Sequence, residues 1–419
     1  MALSYEVMKN RNFRHLLATR VCAVFALQSQ AVIVGWQLYT ITKSAFTLGL
    51  IGLTEAIPAL LFAMFAGHIV DKSRPHFIFR NCLLVLCLNT LVLLIVAGGY
   101  VPLPQSAVVA VIFMAVFFSG LTRSFIMPSS FTLLSRIVPR ENIPAASAWM
   151  SSGFQLAAIT GPAIAGLIYG GYGNAVAWFM PFLFMLTGVV AISTIHAEHR
   201  TFTNKNRREP ALQSIAAGWR FVIHNRVLLP IMALDMFAVL FGGAVAVLPV
   251  FADQVLHTGS EGLGLLRAAP AAGSIVTALY FALKPMKKLR ATVLLSVVAG
   301  FGFSIIGFGL SDSYAPALIF LALSGAFDAV SMVIRGTMMQ LLVPDTMRGR
   351  VSSLNSMFII SSNEIGAFES GSMASLLGLV PSILFGGAMS LLVVGVTALF
   401  AKDMRTLVVD TTQQKDAAG

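Results

Sequence analysis

Long apolar runs separated by short polar breaks fill this chain from end to end. Each run approaches the roughly 20 residues that carry a helix across a bilayer. The runs fall near residues 14–40, 45–70, 77–99, 105–136, 143–169, 174–195, 227–252, 261–284, 291–311, 315–342, 351–377 and 379–401. A spanning β-barrel would show shorter segments of about ten residues with alternating polarity, and these runs do not alternate. The pattern predicts an all-α membrane protein of about twelve transmembrane helices.

Polar and small positions repeat at long range. Ser119-Gly120, Val138-Pro139, Gly161 and Gly166 recur as Ser324-Gly325, Val343-Pro344, Gly366 and Gly371, at a constant interval of about 205 residues. Glycines and prolines set helix ends and close helix approaches, so the duplication is architectural. It predicts two pseudo-symmetric six-helix bundles, the plan of a transporter built from two like halves. The expected domains are an N-terminal bundle (1–199), a linker with an amphipathic helix (200–226), a C-terminal bundle (227–405) and a tail (406–419).

Composition agrees: of 419 residues 57% are hydrophobic and 11% charged, against about a quarter charged in soluble domains. The net charge of +11 raises nucleic acid as a partner, but the placement of the cations argues against it. They gather at every second break: Lys9, Arg11 and Arg14; Lys72 and Arg74; Arg136 and Arg140; Arg200 to Arg226; Lys284 to Arg290; Arg348 and Arg350; Lys402 and Arg405. Lys43 is the exception among the intervening breaks. The positive-inside rule then places both termini and the central linker in the cytoplasm. Six crossings per half give both halves the same orientation. After Pro210, Leu212, Ile215, Trp219 and Val222 fall along one side of a short helix expected to lie on the inner leaflet. Cys22, Cys82 and Cys87 lie in or beside spans and imply no disulfide framework.

Charges within the spans carry the chemistry. Glu55, Asp235, Asp328, Glu364 and Glu369 fall in predicted spans, as do Arg20 and Arg123. A carboxylate at a helix centre costs roughly 2.5–3.5 kcal/mol, so each must meet water, a cation or a proton. Arg123 and Asp328 hold equivalent places in the repeat and could pair with each other. Alternatively each pairs within its own half, Arg123 with Glu55, and Asp328 with Arg335 two turns along the same face. Glu364 and Glu369 stand with Asn363 in the most polar stretch of any span, where the first half has Ile159 and Ile164. Such acids are candidate proton carriers or substrate contacts. Gln28, Gln30 and Gln37 add polar character to the first span. No phosphate-binding loop, metal-ligand cluster or nucleophile–base set is visible, so neither a cofactor, a metal nor an enzymatic reaction is expected.

The loop Gly67-His68-Ile69-Val70-Asp71-Lys72-Ser73-Arg74-Pro75 resembles the loop signature of the major facilitator superfamily. The resemblance implies a gating role for Gly67, Asp71 and Arg74, with Asp71 latching the halves. The second half departs from it, since Lys284-Pro285-Met286-Lys287-Lys288 holds no acid. Ala157-x3-Gly161-Pro162-x2-Ala165-Gly166 is similar to the motif marking proton-coupled exporters of that superfamily, with alanines at two glycine positions. Val138-Pro139-Arg140-Glu141, Pro144-Ala145-Ala146, Val343-Pro344-Asp345, Arg348-Gly349-Arg350-Val351, Asn363-Glu364 and Phe368-Glu369-Ser370-Gly371 resemble the bacterial branch containing enterobactin-exporter-type proteins.

That resemblance implies a monomeric secondary transporter of the bacterial inner membrane. It would export a drug- or siderophore-like molecule by alternating access in exchange for protons, with lipids as its surroundings. In the superfamily's arrangement the first span helps line the cavity, which implies substrate contact for some of its glutamines. Two alternatives remain open at this point, an importer of a metabolite or metal chelate and a non-transporting membrane receptor.

Overall fold

The computed structural model describes residues 7–195, 211–283, 288–344, 347–401, 404 and 408–410. The first part of the linker and most of the tail lie outside the described residues. Six long helices form the first half: α1 (Arg11–Thr42), α2 (Ala45–Lys72), α3 (Pro75–Val96), α4 (Gln105–Ile137), α5 (Ile143–Tyr172) and α6 (Asn174–Ser193). The amphipathic helix α7 covers Ala211–His224. The second half holds α8 (Leu228–Gly242), α9 (Leu248–Gln254), α10 (Ser260–Leu283), α11 (Ala291–Gly309), α12 (Tyr314–Leu342), α13 (Arg348–Leu377) and α14 (Leu379–Phe400). A two-stranded antiparallel ribbon, β1 (Lys288–Arg290) with β2 (Val408–Asp410), lies outside the spans and pairs Leu289 with Val409.

The helix ends follow from local chemistry. The Asn10 side chain caps α1 by accepting from the Phe13 N–H at 3.2 Å. Pro75 opens α3, where its missing N–H is no loss. Gly173 and Gly378, again one repeat interval apart, take φ of +82° and +91° between α5 and α6 and between α13 and α14. A side chain there would be strained, so both turns need glycine.

Eleven of these helices among the described residues are long and apolar enough to cross a membrane, with α8 and α9 counting together. The expected twelfth, α13, is 30 residues long but is kept off that set by its polar middle. The seventh span differs from expectation. It breaks at Gly243, passes through a 3-10 turn (Ala244–Val247), and resumes as α9.

The duplication reappears as packing. In the first half α1 packs on α5 and α6, and α3 on α4 and α6. In the second, α8 packs on α13 and α14, and α11 on α12 and α14. Phe13, Leu16, Phe79, Leu83, Met185 and Ile192 share one buried cluster. Ile231, Leu234, Leu294, Val298, Ile334 and Met338 share another. Large apolar side chains such as Leu88, Met114, Phe131, Val276 and Leu399 stay exposed, as lipid contact requires.

The repeated glycines mark where backbones touch. A Cβ at Gly120 on α4 would strike the Glu55 carbonyl of α2, and one at Gly325 on α12 the Pro270 carbonyl of α10. At Gly161 it would sit 3.0 Å from the Phe25 oxygen, and at Gly366 2.7 Å from the Leu240 oxygen. Small residues thus let the same pairs of helices meet in both halves.

By contact density the chain forms two compact units. One comprises Met1–Lys43, Leu53–Arg208 and His257–Ala268; the other Ser44–Gly52, Glu209–Leu256 and Ala269–Gly419. Within the first, Gly166 of α5 meets Gly264 of α10. Within the second, a Cβ on Gly371 of α13 would lie 2.6 Å from the Gly49 Cα of α2. The amphipathic helix α7 belongs to the second unit. Val222 is buried with Leu228, Met232, Val351 and Leu354, while Gly218 abuts Arg350. Trp219 sits on its rim, edge-on to Phe358 and 43% exposed.

Candidate functional site

Two ion pairs organise the intramembrane charges. In the first unit Arg123 of α4 donates to a Glu55 carboxylate oxygen of α2 at 2.6 Å. The close α2–α4 approach at Gly120 brings these side chains together, one helical turn from Arg123. Of the partners open to Arg123 from sequence, the one within its own half is therefore realised. In the second unit Arg335 of α12 pairs directly with Asp235 of α8, and its Nε donates to the Ser331 hydroxyl at 3.2 Å. Asp328 is half-buried two turns before Arg335 and feels its charge. Arg335 was a partner expected for Asp328; the contact it makes is to Asp235.

These pairs differ in kind. The side chains of Arg123 and Glu55 are 50% and 23% exposed, whereas those of Arg335 and Asp235 are 7% and 8% exposed. An open pair can separate when a ligand or proton takes one partner's place. A sealed pair resists separation, because each charge would be left in a low-dielectric interior.

Glu369 is placed differently again. On α13, one of its carboxylate oxygens is buried with no hydrogen-bond partner. The other faces the Ser370 hydroxyl at 3.5 Å, and that hydroxyl also donates to the Gly243 carbonyl at 3.0 Å. Glu364, five residues earlier, is half-buried. Asn363 is exposed and donates to its own helix at the Ile359 carbonyl, 2.8 Å away. A small cavity lined by Gly242, Ala244, Val247, Ser370 and Ser382 opens beside the broken seventh span.

The glutamines of α1 separate by role. Gln28 is half-buried and touches the Gly161 position of α5, where a Cβ would lie 3.3 Å from its own Cβ. Gln30 is buried. Gln37 is buried too, and both ends of its amide are engaged: it donates to the Ala97 carbonyl at 2.7 Å and accepts from the Trp178 indole at 2.9 Å. That geometry locks α1 to α6. Replacing Gln37 with leucine should lower stability by about 1–3 kcal/mol, because the buried Trp178 indole N–H loses its acceptor; the Ala97 carbonyl keeps the Asn174 amide as donor. Thermal unfolding of the purified protein checks this.

The gating loop ends α2. Gly67 and Asp71 fall in its last turns, and the Asp71 side chain lies outside the described part of the structure; Arg74 is exposed and stacks over Phe77 at 5.6 Å. On α5, Gly161, Pro162 and Gly166 are all buried in helix that continues unbroken through the proline. The Ser29 hydroxyl of α1 donates to the Gly161 carbonyl at 3.1 Å, and Gly264 of α10 sits against the Pro162 carbonyl. Arg20 of α1 lies 3.6 Å from the Met127 sulfur.

Sequence reasoning passed over Arg267. It lies on α10, half-buried, and donates to the Ala31 carbonyl of α1 at 3.2 Å. The signal was present, a lone arginine seven residues inside an apolar run. It lacked a matching acid in the repeat. Among the described residues no cluster of three or more histidine, cysteine or acidic side chains could hold a metal ion. Cys22, Cys82 and Cys87 are free thiols.

Comparison with known proteins converges on transport. The family described as transmembrane secretion effector matches residues 3–416. An enterobactin exporter of Shigella boydii is 25% identical over 402 residues, covering 92% of this chain and 91% of its own. One from Escherichia coli gives the same identity and coverage. Among solved structures, a POT family transporter in complex with a thioalcohol-conjugated peptide superposes with a TM-score of 0.75 at 11% identity, covering 94% of this chain and 96% of that one. The nucleoside transporter NupG gives 0.69 at 13% identity, covering 93% and 100%. At such identities these two structures share the fold.

Proposed function

Because the chain belongs to the transmembrane secretion effector family of the major facilitator superfamily, we propose that it exports a small organic molecule from a bacterial cytoplasm in exchange for protons. The curated relatives that carry the name enterobactin exporter support a drug- or siderophore-like substrate. The protein is a multi-pass membrane protein. It works in the inner membrane as a single chain surrounded by lipid. Both termini are cytoplasmic, which is supported by the cations at every second break.

One observation carries the coupling. Glu55 and Asp235 each hold an arginine, whereas Glu369 keeps a buried oxygen without a partner. A bare carboxylate there is costly, and a proton removes the cost. Glu369 is therefore the proton carrier. The open Glu55–Arg123 pair contacts substrate, and the sealed Asp235–Arg335 pair holds its bundle together. Gln28 and Gln30 in the first unit, and Asp328, Asn363 and Glu364 in the second, are further polar candidates, each within its own unit. The driving force suffices, since one charge crossing 100 mV supplies about 2.3 kcal/mol.

Everted vesicles containing the protein test this, with enterobactin as the first compound. A protonophore should abolish accumulation, and Glu369→Gln, still folded by size-exclusion profile, should lower its rate by about a hundredfold or more, the loss typical of a missing proton-transfer group. Accumulation that survives collapse of the proton gradient would reject proton coupling.

A further inference from the structure

Ser370 carries one hydroxyl proton and lies within reach of two acceptors. One is the Gly243 carbonyl at 3.0 Å, at the break of the seventh span; the other is the Glu369 carboxylate at 3.5 Å. The carbonyl belongs to the residue between α8 and the 3-10 turn. Ser370 is buried, and the second Glu369 oxygen is buried without a partner. A backbone close approach at Gly366 and the Leu240 carbonyl holds α13 against α8 beside this point. A small cavity along Gly242, Ala244 and Val247 borders the turn.

We propose that Ser370 is the positioning residue that couples the proton on Glu369 to the break in the seventh span. The inference rests on the reading of Glu369 as proton carrier. A hydroxyl cannot donate one proton twice. A hydrogen bond to an ionised carboxylate is roughly twice as strong as one to a neutral carbonyl. With Glu369 ionised, the hydroxyl turns to the carboxylate, and Gly243 loses its side-chain donor. With Glu369 protonated, the carboxyl needs no donor, and the hydroxyl returns to Gly243. Glu369 gains and loses the proton; Ser370 keeps its own throughout. The state of one acid thereby sets whether the 3-10 turn is pinned to α13 or free to rearrange.

Few other charges compete. On α13 itself stand Glu364, Arg348 and Arg350, and on α8 Asp235 is held by Arg335. On α7, which meets α13 where Gly218 abuts Arg350, about 28 Å along the helix from Glu369, Arg220 and His224 are exposed. Neither α14, the 3-10 turn nor residues 45–52 of α2 carries a titratable side chain.

Hydrogen exchange on the full chain in lipid nanodiscs tests the switch without any substrate. The readout is protection of the segment 243–250, corrected for intrinsic rates, at about pH 5.5 and about pH 8, both above the ordinary carboxyl titration, so that an ordinary surface carboxylate does not step between them. Wild-type protection should fall roughly fivefold on going to the higher pH, the size of one net hydrogen bond. In Ser370→Ala the step should vanish, with low protection at both values; in Ser370→Thr it should persist. Glu369→Gln should show high protection at both. Ser370→Cys, similar in size but a weaker donor, should show a reduced step, so the comparison survives if the alanine variant fails to fold. A full step in the alanine or cysteine variant, or in Glu369→Gln, overturns the proposal. Protonophore-insensitive export with the step intact would reject proton coupling and leave the switch standing. Protonophore-sensitive export with a step indifferent to Ser370 would reject the switch alone.

Discussion

Arg335→Ala is expected to destabilise the protein by about 3–5 kcal/mol, the range measured when one partner of a buried ion pair is removed. The guanidinium is buried, contacts the Asp235 carboxylate directly and is braced by the Ser331 hydroxyl. Asp328 stands two turns away and shares its field. Deleting the cation strands the buried Asp235 carboxylate, next in sequence to Leu234 of the apolar cluster that also holds Ile231, Ile334 and Met338. Most of the loss comes from the desolvated charge left behind, not from the pair's own attraction. The double variant Asp235→Asn with Arg335→Met should therefore recover most of the stability, because no bare charge remains at that contact. Thermal unfolding of detergent-purified protein measures both. A single variant as stable as wild type, or a double variant no better than the single, would contradict this account. Arg123→Ala makes the contrast. Its pair is open, so about 0–1 kcal/mol is expected.

The difference between those arginines could not be read from sequence. Periodicity located the spans because lipid forces every backbone group to bond within its own helix, and long apolar runs have no other solution. The repeat located the helix crossings for a related reason. Gly120 and Gly325, or Gly161 and Gly366, are sites where two backbones meet, and only a missing side chain permits that. Partners of charged side chains obey no such periodicity. Arg123 had two acids to choose between, and the choice turned on a rotamer and a crossing depth. Asp235 took the arginine expected for Asp328 because α8 passes α12 at that height. The break at Gly243 was hidden for another reason. Its flanking residues are as apolar as any span, and the hydroxyl that satisfies its carbonyl lies 127 residues away. Gln37 looked like a cavity residue because a span glutamine is costly unless satisfied. Its acceptor and donor, Ala97 and Trp178, come from the neighbouring breaks and helices of the same half.

Gly325 and Gly336 lie on the same helix, α12, and substituting alanine at each should move stability in opposite directions. At Gly325 an added Cβ would overlap the Pro270 carbonyl oxygen, carbon and Cα together. These are backbone atoms at a proline inside α10, so neither a rotamer change nor a small local shift can clear them. The helices must part, and the Ser274 hydroxyl would then lose the Gly325 carbonyl it reaches at 2.9 Å. About 1–3 kcal/mol of overpacking plus about 1 kcal/mol for the hydrogen bond is expected, the second largest loss of any change considered. At Gly336 nothing lies within reach of a new Cβ. Alanine there should stabilise by about 0.8–1 kcal/mol, because it restricts the unfolded chain and suits a helix interior. Comparing the two unfolding midpoints under one set of detergent conditions isolates the contact from the residue type. Gly120→Ala should repeat the Gly325 result in the first half, where the obstacle is the Glu55 carbonyl. Equal tolerance at Gly120, Gly325 and Gly336 would mean that the repeated glycines do not mark backbone crossings.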